Sequence, residues 1–521
     1  MAVRMFAAIE VGSFELEMGI YEISGKNRIR QVDHVRHVIS LGSDTYNDRK
    51  ISYEMVEELC RVLEDFSRIM KGYRITEYRA YATSAMREAK NSRIVLEQIL
   101  VRTGLTVQII SNSEQRLLTY KALAVADDEF DQNIRKGTAI LDVGFGSMQI
   151  SLFDEKLLVS TENLPLGVLR IGELLKNVSS TAEGTRRIIG EMVESELSNY
   201  QKMYLEERRI KHVIGTGENI MYLFRYEDGG KPLQWVTREQ FDRLYERLSG
   251  MDPEAVEEQF GVSAEYAPLL LPSAVIYKKF LEMTGAEAIW IPGTRLCDGI
   301  AAEYALDKKL IQLKHNFDND IISASRDMAR RYRCQGSHSD LVESYVLQIF
   351  DAMKRYHKMG SRERLLLQIA VIIHSCGKFI SVRNANECAY NIIMSTEIIG
   401  LSHLEREIVA NVVRYNIRDF DYNMVRMEAG PELSSGSLPD QSDATILTAK
   451  LTAMLRLANS MDRSHGQKLK DCRITVKDKT LTVSAEYSGD ITLEAVSFEQ
   501  KAAFFEEIFG IRPVLKQKRR V

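Results

Sequence analysis

The stretch 139-AILDVGFGSMQISLFD-154 decides the architecture, because 7-AAIEVGSFELEMGIYE-22 repeats its plan. In each copy an apolar triplet leads into an acidic residue, Asp142 or Glu10, followed by Val, a Gly-containing turn and apolar residues in partial alternation. That is the pattern of strand, tight turn, strand. The copies stand a domain's length of chain apart, too far for a solenoid repeat and suited to two related α/β lobes facing each other across a cleft.

At 521 residues and 45% hydrophobic content the chain has room for about three to four domains with filled cores. The net charge of −4 excludes a globally basic nucleic-acid binder, and only the tail 516-KQKRR-520 is densely positive. Glu10 interrupts the apolar N-terminus, and no run of roughly 18 apolar residues occurs, so no membrane segment is expected and a cytoplasmic location is. Six cysteines, Cys60, Cys297, Cys334, Cys376, Cys388 and Cys472, lie scattered without a CxxC pair, which gives no sign of a disulfide framework or a structural zinc site.

Residues 1–125 alternate strand-like runs with amphipathic helices such as 53-YEMVEELCRVLEDFSRIM-70 and form the first expected lobe. The second lobe is expected over 126–305, with a long helix at 181–204 and the strand 212-HVIGTG-217. Apolar spacing is helical throughout 310–465, which predicts an all-helical domain. A small α/β cap is expected over 466–521, with a hairpin in 473-RITVKDKTLTV-483 turning at Asp478 and Lys479 and a helix over 498–510. The Gly-, Ser- and Pro-rich stretch 428–443 reads as disordered.

The turn chemistry of the cleft points to phosphate. Gly12, Gly144 and Gly146 would let backbone N–H groups approach an anion, and Ser13 and Ser147 would add hydroxyl donors. Asp142 could hold Mg²⁺ directly or through water, neutralising phosphate charge. The run 214-IGTGEN-219 offers a further glycine turn after an apolar strand.

Six runs in order, 82-ATSAMREAKN-91, 110-ISNSEQRLL-118, 141-LDVGFGSMQ-149, 164-LPLGVLRIGE-173, 213-VIGTGEN-219 and 292-PGTRLCDG-299, resemble the exopolyphosphatase and guanosine pentaphosphatase (Ppx/GppA) family, a branch of the actin and sugar kinase superfamily. The resemblance implies two actin-like lobes of the ASKHA, ribonuclease H-like type around a cleft, an all-α HD-like domain and a small C-terminal α/β cap. It implies that water attacks the terminal phosphoryl group of inorganic polyphosphate, or the 5′ γ-phosphate of pppGpp, with Mg²⁺ as cofactor; an ATP-using kinase of the wider superfamily fits the ATSAMREAKN run less well. Phosphate would be held by Gly12, Ser13, Arg87, Gly144, Gly146, Ser147, Gly215, Thr216 and Gly217, and the metal by Asp142, Gln149 and Glu10.

The chain departs from the family pattern at its carboxylates. Where the family's Ser-Gly-x-Glu-Glu-Ala-Arg-Leu carries the general base, 111-SNSEQRLL-118 has Gln115, with Glu114 beside it. Asp-x-Gly-Gly-Gly-Ser-Thr-Glu becomes 142-DVGFGSMQ-149, so Gln149 replaces a carboxylate and Phe145 a glycine, and Asp-Leu-Gly-Ser-Asn becomes 10-EVGSF-14. Gln115 and Glu114 are therefore the candidate catalytic positions. The expectation is a phosphoanhydride hydrolase with weakened activity; the alternative is an impaired sensor that binds polyphosphate or guanosine penta/tetraphosphate. In the helical part, His338 and His374 resemble HD-domain ligands, but Ser375 and Asn459 stand where acids belong. That predicts an architectural domain without metal, widening the groove or mediating homodimerisation.

Overall fold

The computed structural model describes residues 3–24, 28–126, 130–135, 137–176, 182–205, 208–224, 235–334, 336–420, 422 and 441–518. Five strands form the first sheet: β1 (Arg4–Val11), β2 (Glu15–Ser24), β3 (Arg28–Val38), β4 (Tyr78–Ala82) and β5 (Val107–Ile109), in the order β3-β2-β1-β4-β5. The first three pair antiparallel, while β1, β4 and β5 run parallel, with helices as the crossovers that parallel pairing requires. The second sheet contains β6 (Thr138–Val143), β7 (Met148–Asp154), β8 (Leu157–Leu164), β9 (His212–Thr216), β10 (Trp235–Thr237) and β11 (Ala288–Trp290), in the order β10-β11-β9-β6-β7-β8. Apart from the short antiparallel edge strand β10, it repeats the order and directions of the first sheet. The duplicated hairpins read from the sequence are β1–β2 and β6–β7.

The side chains of β1 and β2 explain how the first lobe is layered. Ala7, Ile9, Val11, Leu16, Met18 and Ile20 join the core that also holds Val56, Leu59, Leu63 and Phe66 of helix Tyr53–Gly72. The alternate residues face the other way. There Phe6, Ala8, Tyr21 and Ile23 pack with Cys297, Ile300, Ala301 and Tyr304 of helix Leu296–Asp307. This helix follows β11 in the chain yet packs on β1, β2 and helix Asn112–Ala126. The lobe boundary expected at 305 falls within this helix, whose apolar face finds its partner in the first lobe.

The chain divides into two compact units, the first running to Asp320 and the second starting at Ile321. Within the second, helices Gly336–Ala352, Ser361–Ile373, His403–Arg414 and Gln441–Ser460 pack together. A small sheet, β12 (Arg473–Lys477), β13 (Thr480–Glu486) and β14 (Arg512–Lys518), follows in the order β12-β13-β14. The β12–β13 hairpin turns at Asp478 and Lys479, both at positive φ (48° and 59°), as a two-residue primed turn requires. Helix Thr492–Phe509 packs on helix Gln441–Ser460, so cap and helical domain share one compact unit instead of forming two. Of the expected disordered stretch, 428–440 lies outside the described residues, and Gln441 opens a helix. All six cysteines are free, and no described helix is long and apolar enough to cross a membrane.

Tyr304 shows what the returning helix contributes. Its ring stacks on Phe6 at 4.0 Å and its hydroxyl donates to Glu77 at 2.7 Å. Tyr304→Ala is expected to destabilise the first unit by about 3 kcal/mol, the scale of a buried aromatic truncation, read as a lower urea midpoint for its unfolding transition; an unchanged midpoint would mean the helix is held elsewhere.

Candidate functional site

Between the two glycine turns lies a cavity of about 100 Å³. Its walls include Glu10, Gly12, Ser13, Gln115, Asp142, Gly144, Gly146, Ser147, Gln149, Thr216 and Gly217, eleven of the fourteen residues expected from sequence. Arg87, Glu114 and Gly215 are not among the residues that line it. The Arg87 guanidinium instead bonds the Ile110 carbonyl and the Asn112 side chain, fixing the turn into helix Asn112–Ala126. Glu114 closes a capping box at the head of that helix: the Ser111 N–H donates to its carboxylate at 2.9 Å, and its own N–H donates to Ser111 Oγ at 3.2 Å. The next side chain along, Gln115, faces the cavity. Gly215 is packed in the second sheet, where an added Cβ would lie 3.2 Å from Tyr277 Oη.

The two turns close on themselves through backbone hydrogen bonds. The Gly12 N–H donates to Glu15 O at 2.9 Å and the Gly144 N–H to Ser147 O at 3.0 Å, so both donors close their own hairpins. Ser13 Oγ accepts from Ala85 N–H at 3.1 Å and from Tyr46 at 2.9 Å, and lies 2.7 Å from Ser84 Oγ. At Gly146 a Cβ would fall 2.0 Å from Tyr46 Oη, so only glycine allows the second turn to press on the first lobe. Gly217, at φ +90°, adopts a backbone conformation natural to glycine, and its Cβ would lie 2.9 Å from Asp142 Oδ1.

Aromatic and polar contacts close the cleft at this point. Phe14 of the first turn enters the second lobe's core and lies 4.9 Å from the Phe145 ring and 5.0 Å, edge on, from Tyr266. Arg170 donates to Gly146 O at 2.9 Å and to Glu88 at 2.6 Å while lying over the Tyr46 ring. Ser43 and Asn47 both donate to Glu173. The two residues that sequence comparison marked as departures in the turns, Phe14 and Phe145, are thus partners of each other.

Electrostatically the cavity is acidic. Glu10, Glu15, Glu17, Asp142 and Glu218 line it, and among its described lining residues Arg295 is the cation, bonded to Glu218. Glu10 stands directly across the strand pair from Glu17, a juxtaposition of like charges that destabilises unless a proton or cation intervenes. Burial, then the neighbouring Glu17, pushes the Glu15 carboxyl up to about 8. Burial, then Glu218, pushes Glu17 to about 7. Glu10 is raised well above the ordinary range, mainly by burial and Glu17. Burial lifts Asp142 to about 6 against the opposing charge of Arg116. Such a set of oxygen donors suits a hard divalent cation such as Mg²⁺. Sequence reading missed Glu15, Glu17 and Glu218; the available signal was a pair of glutamates two apart in a run otherwise apolar enough for a buried strand.

In the second unit, His338 Nδ1 lies 2.7 Å from Asp462 Oδ2 and Nε2 lies 3.1 Å from Asn459 Oδ1, while His374 Nδ1 is 2.6 Å from Val371 O. His465 stacks on His338 at 3.9 Å. Both nitrogens of His338 are thereby engaged within the protein.

The acidic cavity sets a pH dependence. Unfolded glutamates release their protons near 4.5, whereas folded Glu17 and Glu15 keep theirs to about 7 and 8. The folded state then binds more protons across this window, so stability falls as pH rises from about 4.5 toward 8. Arg36, Arg295, His34 and Tyr266 face the same groups and temper the effect. In EDTA, thermal unfolding should shift downward between pH 5 and 8, and Glu17→Gln should flatten the slope; a wild-type midpoint that rises over this range would contradict it.

The sequence and fold have relatives. The Ppx/GppA phosphatase family model matches residues 20–307, and that of Ppx/GppA phosphatase, domain III, matches 322–502. Exopolyphosphatase 1 of Mycobacterium tuberculosis is 24% identical over 302 residues, spanning 56% of this chain and 86% of the relative. A bifunctional 3-dehydroquinate synthase/phosphatase of Fusobacterium nucleatum is 22% identical over 42% of this chain and 30% of its own length. Among solved structures, an exopolyphosphatase from Cytophaga hutchinsonii superposes with a TM-score of 0.52 at 16% identity, covering 59% of this chain and 99% of that one. The Aquifex aeolicus member of the Ppx/GppA family gives 0.50 at 20% identity, covering 60% and 100%. The first unit accordingly has the actin-like fold of these proteins, and the chain belongs to the Ppx/GppA phosphatase family.

Proposed function

We propose that the inter-lobe cavity takes the end of an inorganic polyphosphate chain together with Mg²⁺ and releases terminal phosphate slowly, an exopolyphosphatase-like phosphoanhydride hydrolysis. The exopolyphosphatase names of the relatives support the substrate class. The observation that carries the reading is the position of Gln115 on the cavity wall while Glu114 is occupied in the capping box. Gln115 can orient an attacking water through its amide but cannot accept its proton near neutral pH. Asp142 and Glu10 would hold the metal, which when bound supplies the positive charge that a phosphate end needs in this acidic pocket. Gln149, opposite Asp142 in the β6–β7 ladder, would offer the metal an amide oxygen where the family pattern has a carboxylate, a weaker ligand for Mg²⁺. Ser147, Thr216 and Gly217 complete the wall. The second unit is read as an HD-like domain whose histidines serve packing and hydrogen bonding instead of metal chemistry.

Phosphate release from polyphosphate, with pppGpp run alongside, tests this. Gln115→Glu combined with Gln149→Glu should raise the rate at least ~10²-fold, the low end of what a positioned base contributes, and Gln149→Glu alone should do less. A wild-type protein turning over at ordinary rates of ~1–10³ s⁻¹, with Glu114→Gln abolishing that activity, would show Glu114 to be the base and overturn the reading.

A further inference from the structure

We propose that the loop 378-KFISVR-383 of the second unit, with the adjoining helix end 330-RRYR-333, is a docking surface for an anionic lipid bilayer. Phe379, Ile380 and Val382 are 51%, 62% and 84% exposed. Single exposed apolar residues need no explanation, but three so close together form a patch that marks an interaction site. The backbone holds them out. Ile380 and Ser381 both donate to Gly377 O, at 3.1 and 3.0 Å, continuing the 3₁₀ turn Cys376–Phe379. Gly377 presses on helix Ala385–Ser395 so closely that a Cβ would lie 1.8 Å from Ala385 O. On the far side the Asn384 N–H donates to Ser381 Oγ at 3.1 Å. The loop cannot turn its apolar side chains inward without breaking these bonds.

Positive charge surrounds the patch. The two segments contain no acid and carry five cations, Arg330, Arg331, Arg333, Lys378 and Arg383. The Phe379 ring meets Tyr332 edge on at 5.8 Å, which brings the segments together. Asp327 answers Arg330 and Arg331. Arg333, Lys378 and Arg383 are exposed and form no ion pair among the described residues. An apolar tip flanked by unanswered cations is complementary to a surface that is negative outside and apolar beneath, which is the interface of an anionic bilayer. Single-stranded nucleic acid would be held by base stacking on aromatic rings, yet the two most exposed apolar side chains of the loop are aliphatic. The contact is peripheral, since no described helix is long and apolar enough to cross a membrane. It involves the second unit alone and does not depend on the chemistry proposed for the cleft.

Co-sedimentation of the intact protein with vesicles provides the test, using phosphatidylglycerol mixed equally with phosphatidylcholine against phosphatidylcholine alone. The wild type should partition onto the anionic vesicles at least ~10-fold more strongly than onto the neutral ones, and high salt should remove most of that preference. Ile380→Ser with Val382→Ser, and separately Lys378→Glu with Arg383→Glu, should each lower the partitioning at least ~10-fold. All four positions are exposed, so both double variants should fold, with circular dichroism as the check. The emission of a Val382→Trp protein should shift to the blue on the anionic vesicles, because the side chain enters the acyl boundary. No partitioning, equal partitioning onto both kinds of vesicle, wild-type partitioning in either folded double variant, or an unshifted Val382→Trp spectrum would each overturn the proposal. Binding of a single-stranded RNA oligomer that both double variants lose, with vesicles left unbound, would overturn it in favour of nucleic acid.

Discussion

Glu10 faces Glu17 across the β1–β2 ladder at the floor of the cleft, and much of what surrounds them follows from that opposition. Two carboxylates about 5 Å apart at an effective dielectric near 20 repel by about 3 kcal/mol, and Glu15, Glu218 and Asp142 add to the same field. The protein meets this with protons, with Arg295 on the wall and Arg36 beside Glu15, and with the Tyr266 hydroxyl on Glu15. The proposed polyphosphate end would bring more negative charge to the same place. Cation binding is therefore a precondition for anion binding in this account, and it ties the pH behaviour of the empty protein to its ligand chemistry.

The second constraint is closure. Phe14 and Phe145 replace an asparagine and a glycine of the family pattern, and each would be out of place alone; together they make a contact from one lobe's turn to the other's. Arg170, Tyr46 and Glu173 reinforce it with hydrogen bonds across the same seam. A pocket of about 100 Å³ results.

The two lobes were legible because their hairpins are local: an acidic residue, Val and a glycine turn between apolar runs specify strand, turn and strand without reference to the rest of the chain. Gln115 was legible through the family motif, and its register one residue beyond Glu114 on a helix separates a cavity side chain from a capping one. The bonds of Arg87 to Ile110 and Asn112 were not legible in the motif, since these partners come from a different turn of the chain. Nor was the Phe14–Phe145 pair, whose meaning exists only once the lobes face each other. Glu15 and Glu17 were visible as letters, but their weight depends on burial, which a strand reveals only when both faces of its sheet are covered. The helix at 296–307 likewise shows its allegiance to the first lobe through packing alone.

Calorimetric titration of polyphosphate into the intact protein, once with excess Mg²⁺ and once in EDTA, addresses the dependence of anion binding on the cation most directly. Saturable binding is expected with Mg²⁺ and none detectable in EDTA. Equal affinity under both conditions would contradict it, because the acidic cavity would then be accepting a polyanion without a counter-ion.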